Sequence, residues 1–430
     1  MQIEKRELYQ NILFTVFWVR TTFGLIADEF MPFLRTLESP LFLAIDFTIV
    51  VLGIMLLKKK WDIIFISTFI VTSYLITCWY NNISLFLYVN GIRDFITFLF
   101  IVPIINYFFE NESRKENFIK AFDKNLFLFL LIQTPCLIWQ FLKYGAGDHG
   151  GGSLGNWNSG IISTLIYLIS FYLMQKRIDN KNYFTSLWKN KIYVILLFPT
   201  FLNETKISFV FLVLYFLLLL PIDKKMFIRI LVAIPSLVIL IWGGIVLYLS
   251  STNGGDDGIF SLDYYVNGYF YNEDSEEYVK WLRDMDNVDD ESLDIPRFTK
   301  FLLMPELSEE NPGHELTGFG VGIFKGGTFV DNTDFYNKYE WLLVGSIPYL
   351  FHLLIQLGIV GLVYFIVFWV GCLVIRKKDK VRVKNLQLYI ISVVTLILFY
   401  NDSLRNILLG LILIYISMLS WTDNDTNKTV

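Results

Sequence analysis

Charged side chains interrupt apolar runs of this sequence at four places. Arg20 and Asp46 each stand in such a run, "GIRDF" carries Arg93 and Asp94, and "NETK" carries Asn203, Glu204, Thr205 and Lys206. A fifth cluster, "NDSLRN" with Asp402 and Arg405, fills a short turn between the last two runs. An ionised side chain at mid-bilayer costs about 2.5–3.5 kcal/mol on insertion scales, so such residues usually face a cavity or a partner. Arg offers a planar fork to two phosphate oxygens, and Lys offers a compact point charge. Arg93, Lys206 and Arg405, at one depth near the outer ends of separate spans, are therefore expected to converge on an anion such as pyrophosphate. Plainer readings stand beside this one. Arg405 can snorkel to headgroups, Arg93 can pair with Asp94, Arg20 can pair with Asp46, and "NETK" can be a solvated turn.

Other chemistry is less well supported. His149, His314 and His352 are far apart and make no metal-ligand spacing, so no metal is expected. No phosphate-binding loop of the Walker type, dinucleotide fingerprint or serine-hydrolase elbow is present, and no cofactor or nucleic-acid partner is expected. Cys78, Cys136 and Cys372 lie in or beside apolar runs at unrelated spacings and imply no disulfide framework. Candidate general bases are Glu204, His352 and His314, in that order. Asn203, Thr205, Arg20, His314 and Asn156 are the candidate substrate contacts.

The elements that must hold these residues are membrane helices. The chain of 430 residues is 54% hydrophobic and 18% charged, with mean hydropathy +0.50. Its apolar runs do not alternate, which excludes a β-barrel and predicts an all-α, polytopic protein. About twelve spans are expected, at 11–27, 41–57, 63–80, 94–109, 126–142, 161–175, 191–202, 207–222, 229–250, 358–375, 386–400 and 404–421. The basic connectors at 58–60, 113–124, 175–191, 223–225 and 376–384 all fall on one side if 191–222 crosses twice. The positive-inside rule makes that side cytoplasmic, with both termini on it. Three regions follow: a bundle over 1–250, a large acidic outer loop over 251–343, and C-terminal spans over 344–430. The loop, at roughly 90 residues, is too long for a plain link. After it, "SIPYLFHLLIQLG" (346–358) is expected as a re-entrant or interfacial helix.

Four features then resemble the O-antigen polymerase and O-antigen ligase family of bacterial surface-polysaccharide proteins. "GGSLGNWNSG" (151–160) is similar to its small-residue motif before a span, and "LNETKISFVFLVL" (202–214) to its outer-face basic motif. The long loop precedes the last spans. "GFGVGIF" (318–324) followed by "SIPYLFHLLIQLGIVGLVYF" (346–365) resembles the glycine pair and amphipathic segment that close that loop. The resemblance implies a metal-independent glycosyltransferase of the C-type, lipid-sugar-using architecture, in the bacterial inner membrane with its site facing outward. Its substrate would be undecaprenyl-pyrophosphate-linked oligosaccharide, and a chain-length regulator is a candidate partner. Lys206 stands where many members have Arg. Many members also place a His-Asn pair at the start of the amphipathic segment. Here that place reads "GSIPY", and His352 comes about a turn and a half later. The departure favours polymerase over ligase. The rival classes are a ligase and a transporter of lipid-linked glycan or anion.

Overall fold

A computed structural model describes residues 2–145, 149–178, 182–203, 207–219, 311–325, 332–343, 347–373 and 381–422, with isolated positions between 297 and 309. Helices make up the described chain, with no strand among the described residues. In chain order they are α1 (Gln2–Leu25), α2 (Arg35–Leu56), α3 (Lys60–Tyr74), α4 (Leu85–Phe109), α5 (Glu112–Tyr144), α6 (Ser159–Arg177), α7 (Tyr183–Lys189), α8 (Ile192–Ile195) and α9 (Ile207–Leu219). They continue as α10 (His314–Thr317), α11 (Asp334–Tyr339), α12 (Tyr349–Leu373), α13 (Val381–Tyr400) and α14 (Ile407–Thr422).

Among the described residues five helices are long and apolar enough to cross a membrane: Pro32–Leu56, Lys60–Tyr80, Leu85–Phe109, Glu112–Tyr144 and Tyr349–Leu373. They occupy the expected spans at 41–57, 63–80, 94–109, 126–142 and 358–375. Four other expected spans are shorter apolar helices: Ile192–Phe201, Ile207–Leu219, Asn385–Tyr400 and Ile407–Leu419. The spans expected at 11–27 and 161–175 coincide largely with α1 and α6. The span at 229–250, most of the loop at 251–343, and Glu204, Thr205 and Lys206 lie outside the described residues.

Several helices open earlier than the expected spans, α1 at Gln2, α2 at Arg35 and α5 at Glu112 among them, and for α4 the reason is local. The helix expected to open at 94 opens at Leu85, where the Ser84 hydroxyl accepts a hydrogen bond from Leu87 N at 3.4 Å. That capping bond satisfies one of the orphan N–H groups of the first turn. Arg93 and Asp94 therefore lie about two turns inside α4 rather than at its entry. The short segment expected ahead of the span at 358–375 is set off from it by a break at Gly358 (φ 58°, ψ −153°), at the expected boundary. The break frees two carbonyls, and the glycine strap at 318–325 satisfies them. Phe319 N donates to Ile355 O at 2.7 Å, and Gly320 N donates to Gln356 O at 3.0 Å.

The centre of the bundle is α6, in which 15 of 19 residues are buried. Small residues let the other helices close on α4. A Cβ on Gly53 of α2 would lie 2.5 Å from the Phe100 Cβ, and one on Gly410 of α14 would lie 2.0 Å from the Phe98 ring. Close approach of this kind is how membrane helices gain dispersion contact without a hydrophobic drive between them.

The two ends of the bundle differ in charge chemistry. At one end Lys58 pairs with Glu110 at 3.5 Å, Lys59 Nζ donates to Asn106 at 2.7 Å, and Lys176 pairs with Asp123 at 2.6 Å. This gathers three basic connectors on one face, as the positive-inside reading requires. The other end gathers the 26–34 connector, the glycine-rich loop at 149–158, the 318–325 strap and the turn at 401–406. Asn156 N donates to Asp28 at 2.6 Å, and Tyr349 N donates to Asn401 O at 3.0 Å.

Candidate functional site

A cavity of about 500 Å³ opens at this second end. One wall is a polar stripe on α2: Arg35, Glu38, Ser39, Phe42 and Asp46 all line it. Their spacing keeps them on one face of the helix, so an otherwise apolar element carries its charges inward. The facing wall is Arg93, Asp94, Thr97 and Phe98 of α4. Arg20 of α1, Ile161, Lys325 and the run Asp402, Arg405 to Ile407 complete the lining.

Two of these groups owe their positions to local structure that can be traced. Lys325 ends the glycine strap. Val321 N donates to Thr77 Oγ1 at 2.8 Å, and Gly322 N donates to Gln356 Oε1 at 2.9 Å. Gly322 (φ +85°) lies against Gly91 of α4, where a side chain on either would meet backbone at 2.2–2.4 Å. Lys325 N then turns back to Gly322 O at 2.8 Å. Arg405 ends a single 3-10 turn, Ser403–Arg405, whose entry is fixed by Ser403 N donating to Asn401 Oδ1 at 3.1 Å.

Asp94 organises the cations. Its Oδ2 accepts Arg405 Nη2 at 2.8 Å and Lys325 Nζ at 3.2 Å, while Arg93 Nε stands 4.0 Å from Oδ1. Arg405 also donates to Asp402 at 3.0 Å. Burial pulls the Lys325 ammonium below the ordinary lysine pKa, and the Asp94 charge opposes that shift. The Arg20 guanidinium lies 3.4 Å from the centroid of the Phe42 ring. No ion pair within 4.0 Å joins it to Asp46, and the two attract each other from a longer distance, each the strongest opposite charge on the other. Arg20 Nη1, Arg93 Nε and Arg405 Nε are buried donors with no hydrogen-bond partner. Orphaned charged donors of this kind are costly unless something accepts from them. The lining thus holds five cations and four carboxylates, with unused donors on three of the cations.

Of the residues singled out from sequence, Arg20, Arg93 and Arg405 meet in this cavity. Lys206, Glu204 and Thr205 lie outside the described residues. Asn203, just before them, is fully buried and donates to Gly150 O, Ser159 O and Ser163 Oγ at 2.9–3.3 Å. It ties the glycine-rich loop to the start of the "NETK" segment. Asn156 uses its backbone N–H to hold Asp28, whose other oxygen accepts Arg35 Nε at 2.9 Å, and its own Oδ1 is buried without a partner. His352 does not line the cavity. It is buried between Phe95 and Phe324, and its Nε2 is hydrogen-bonded to Gln356. His314 is also outside the lining. Its ring nitrogens contact Asn81 Oδ1 at 2.9 Å and Asn311 O at 3.1 Å, and the ring stacks on Phe319. Both histidines brace the strap rather than face the cavity.

Sequence reasoning missed Arg35, Glu38 and Lys325. The signal for the first two was the inward stripe on α2, legible as Arg35, Glu38, Ser39, Phe42 and Asp46 at helical spacing. Among the described residues no three His, Cys, Asp or Glu side chains gather as metal ligands. A narrow aromatic crevice of about 50 Å³ adjoins the cavity and shares Phe98 with it, running on past Phe69, Phe95, Tyr364 and Phe368. No family model matches the chain, and no curated protein matches its sequence.

Proposed function

We propose that this protein is a polytopic glycosyltransferase that transfers sugars from a polyprenyl-diphosphate carrier. In this reading it is a polymerase of a bacterial surface polysaccharide, joining undecaprenyl-pyrophosphate-linked repeat units. It works from the inner membrane, with the cavity facing the outer side. About twelve spans and a C-type glycosyltransferase plan complete the proposal, and a chain-length regulator is its candidate partner.

One observation carries it: a cavity at the end of an apolar bundle that five cations line, Arg20, Arg35, Arg93, Lys325 and Arg405. A diphosphate leaving group is an anion that guanidinium and ammonium groups gathered round one cavity can bind. The chemistry asks for little more. The anomeric C–O bond breaks, the electron pair stays on the diphosphate oxygen, and Arg93, Arg405 and Lys325 stabilise the charge that develops there. Lys206 joins them in this reading. The aromatic crevice at Phe98 supports the same assignment, because it offers an apolar neighbour for a lipid carrier beside a charged headgroup site.

The test is incubation of purified protein with a defined lipid-linked oligosaccharide, followed by a gel. A ladder of lengthening glycans is the expected result. A single product that needs a separate acceptor would reassign the protein as a ligase, and unchanged lipid would defeat the glycosyltransferase reading.

A further inference from the structure

The register of α2 on α4 sets one cavity carboxylate opposite the cations. Gly53 meets Phe100 in van der Waals contact, and Lys59, just past the end of α2, meets Asn106 of α4. Both contacts advance six residues together, so the two segments run parallel in constant register. Seven residues before Gly53 and Phe100 stand Asp46 and Arg93. Seven residues are close to two full turns, so each returns to the face its helix turns toward the other. Asp46 and Arg93 are therefore level on opposed walls, and both line the cavity.

Asp46 and Glu38 are the two cavity carboxylates not held at close range among the described residues, and of the two only Asp46 is level with Arg93. Asp94 is held by Arg405 and Lys325, and Asp402 by Arg405. Asp46 makes no hydrogen bond and no ion pair within 4.0 Å among the described residues. Arg20 stacks on the Phe42 ring and acts on Asp46 from beyond ion-pair distance. A carboxylate kept inside an apolar helix without a partner costs stability, and the usual return is a ligand contact.

The geometry points to Asp46 as the general base for the acceptor sugar, an assignment that rests on the glycosyltransferase reading above. The donor diphosphate lies on the α4 wall against Arg93 and Arg405, and the acceptor hydroxyl lies on the α2 wall. The hydroxyl oxygen bonds to the anomeric carbon as the bond to diphosphate breaks. The hydroxyl proton passes to an Asp46 oxygen, and the electron pair of the broken bond leaves with the diphosphate. Base and leaving-group cations on opposite walls are what an in-line displacement needs. Neither His352 nor His314 offers this, since both are engaged beneath the strap.

The experiment compares wild type, Asp46→Asn and Asp46→Ala on defined lipid-linked oligosaccharide. It measures donor-lipid affinity and turnover separately, with and without added formate. Asp46→Asn is expected to keep donor affinity within about twofold while turnover falls about 10²–10⁴-fold, the range of a lost general base. Formate, small enough to occupy the vacated space as a carboxylate, is expected to restore part of the Asp46→Ala rate. Wild-type turnover in Asp46→Asn overturns the assignment. So does a proportional loss of donor affinity and rate in Asp46→Asn, or a failure of formate to raise the Asp46→Ala rate. Wild-type protein that never elongates or transfers glycan overturns the underlying functional reading instead, which keeps the two failures distinct.

Discussion

Lys325 Nζ stands 3.2 Å from the Asp94 oxygen that also accepts Arg405 Nη2 at 2.8 Å. One carboxylate inside an apolar helix thereby holds the end of the glycine strap and the turn before the last helix in one place. Removing either partner leaves charge behind in a site of low polarity. Lys325→Met and Asp94→Asn should each lower thermal stability in detergent. The double variant should lose less than the two losses added, by about 0.5–3 kcal/mol of coupling. Simple additivity would mean that the contact contributes nothing.

Arg405 and Arg93 should separate structure from chemistry. Arg405 answers two carboxylates, Asp94 and Asp402, whereas Arg93 approaches one at 4.0 Å. Arg405→Ala should therefore cost both stability and transfer. Arg93→Ala should cost transfer alone, by about 10²–10³-fold if it serves the leaving group. Melting curves and turnover on the same preparations check this. Normal glycan chain lengths in both variants would leave the two arginines as ordinary interfacial cations.

The strap leaves no room for a methyl group. A Cβ on Gly322 would lie 2.2 Å from Leu87 O, at a φ of +85° that L-residues rarely adopt. Gly322→Ala should destabilise by about 1–3 kcal/mol and reduce transfer, because Lys325 hangs from the same turn. Gly371, with nothing within 4 Å of its virtual Cβ, is the control. Gly371→Ala should stay within about ±0.5 kcal/mol of wild type. Equal melting temperatures for the two variants would contradict the packing described here.

Sidedness can be read with cysteine labelling in a background lacking Cys78, Cys136 and Cys372. Trp157 and Trp61 are 72% and 80% exposed at opposite ends of the bundle. Trp157→Cys should react with an impermeant maleimide in intact cells, and Trp61→Cys only after the membrane is opened. The reverse pattern would turn the cavity toward the cytoplasm.

Much of this arrangement was legible in the sequence, because burying charge in lipid is expensive enough to mark the residues that do it. Arg20, Arg93 and Arg405 stood out on that ground alone and meet in one cavity. The α2 stripe was visible too, but a sequence does not show that the Arg20 guanidinium stacks on Phe42 and meets Asp46 only from beyond ion-pair distance. Lys325 was harder. Its partner Asp94 lies far back in the chain, and only the glycine strap, docked on the break at Gly358, brings the two together. The start of α4 was misjudged because a charge pair resembles a helix end. Ser84 caps that helix, which opens at Leu85 rather than at Asp94.

The central claim is that the cavity handles a lipid-linked diphosphate sugar. Its most direct test is turnover of one defined undecaprenyl-pyrophosphate oligosaccharide by purified wild type and by Arg93→Ala at matched protein and detergent. A glycan ladder is expected with wild type and about 10²–10³-fold less product with Arg93→Ala, whose only ion-pair contact among the described residues is the long one to Asp94. Equal product from both proteins, or none from wild type, would contradict it.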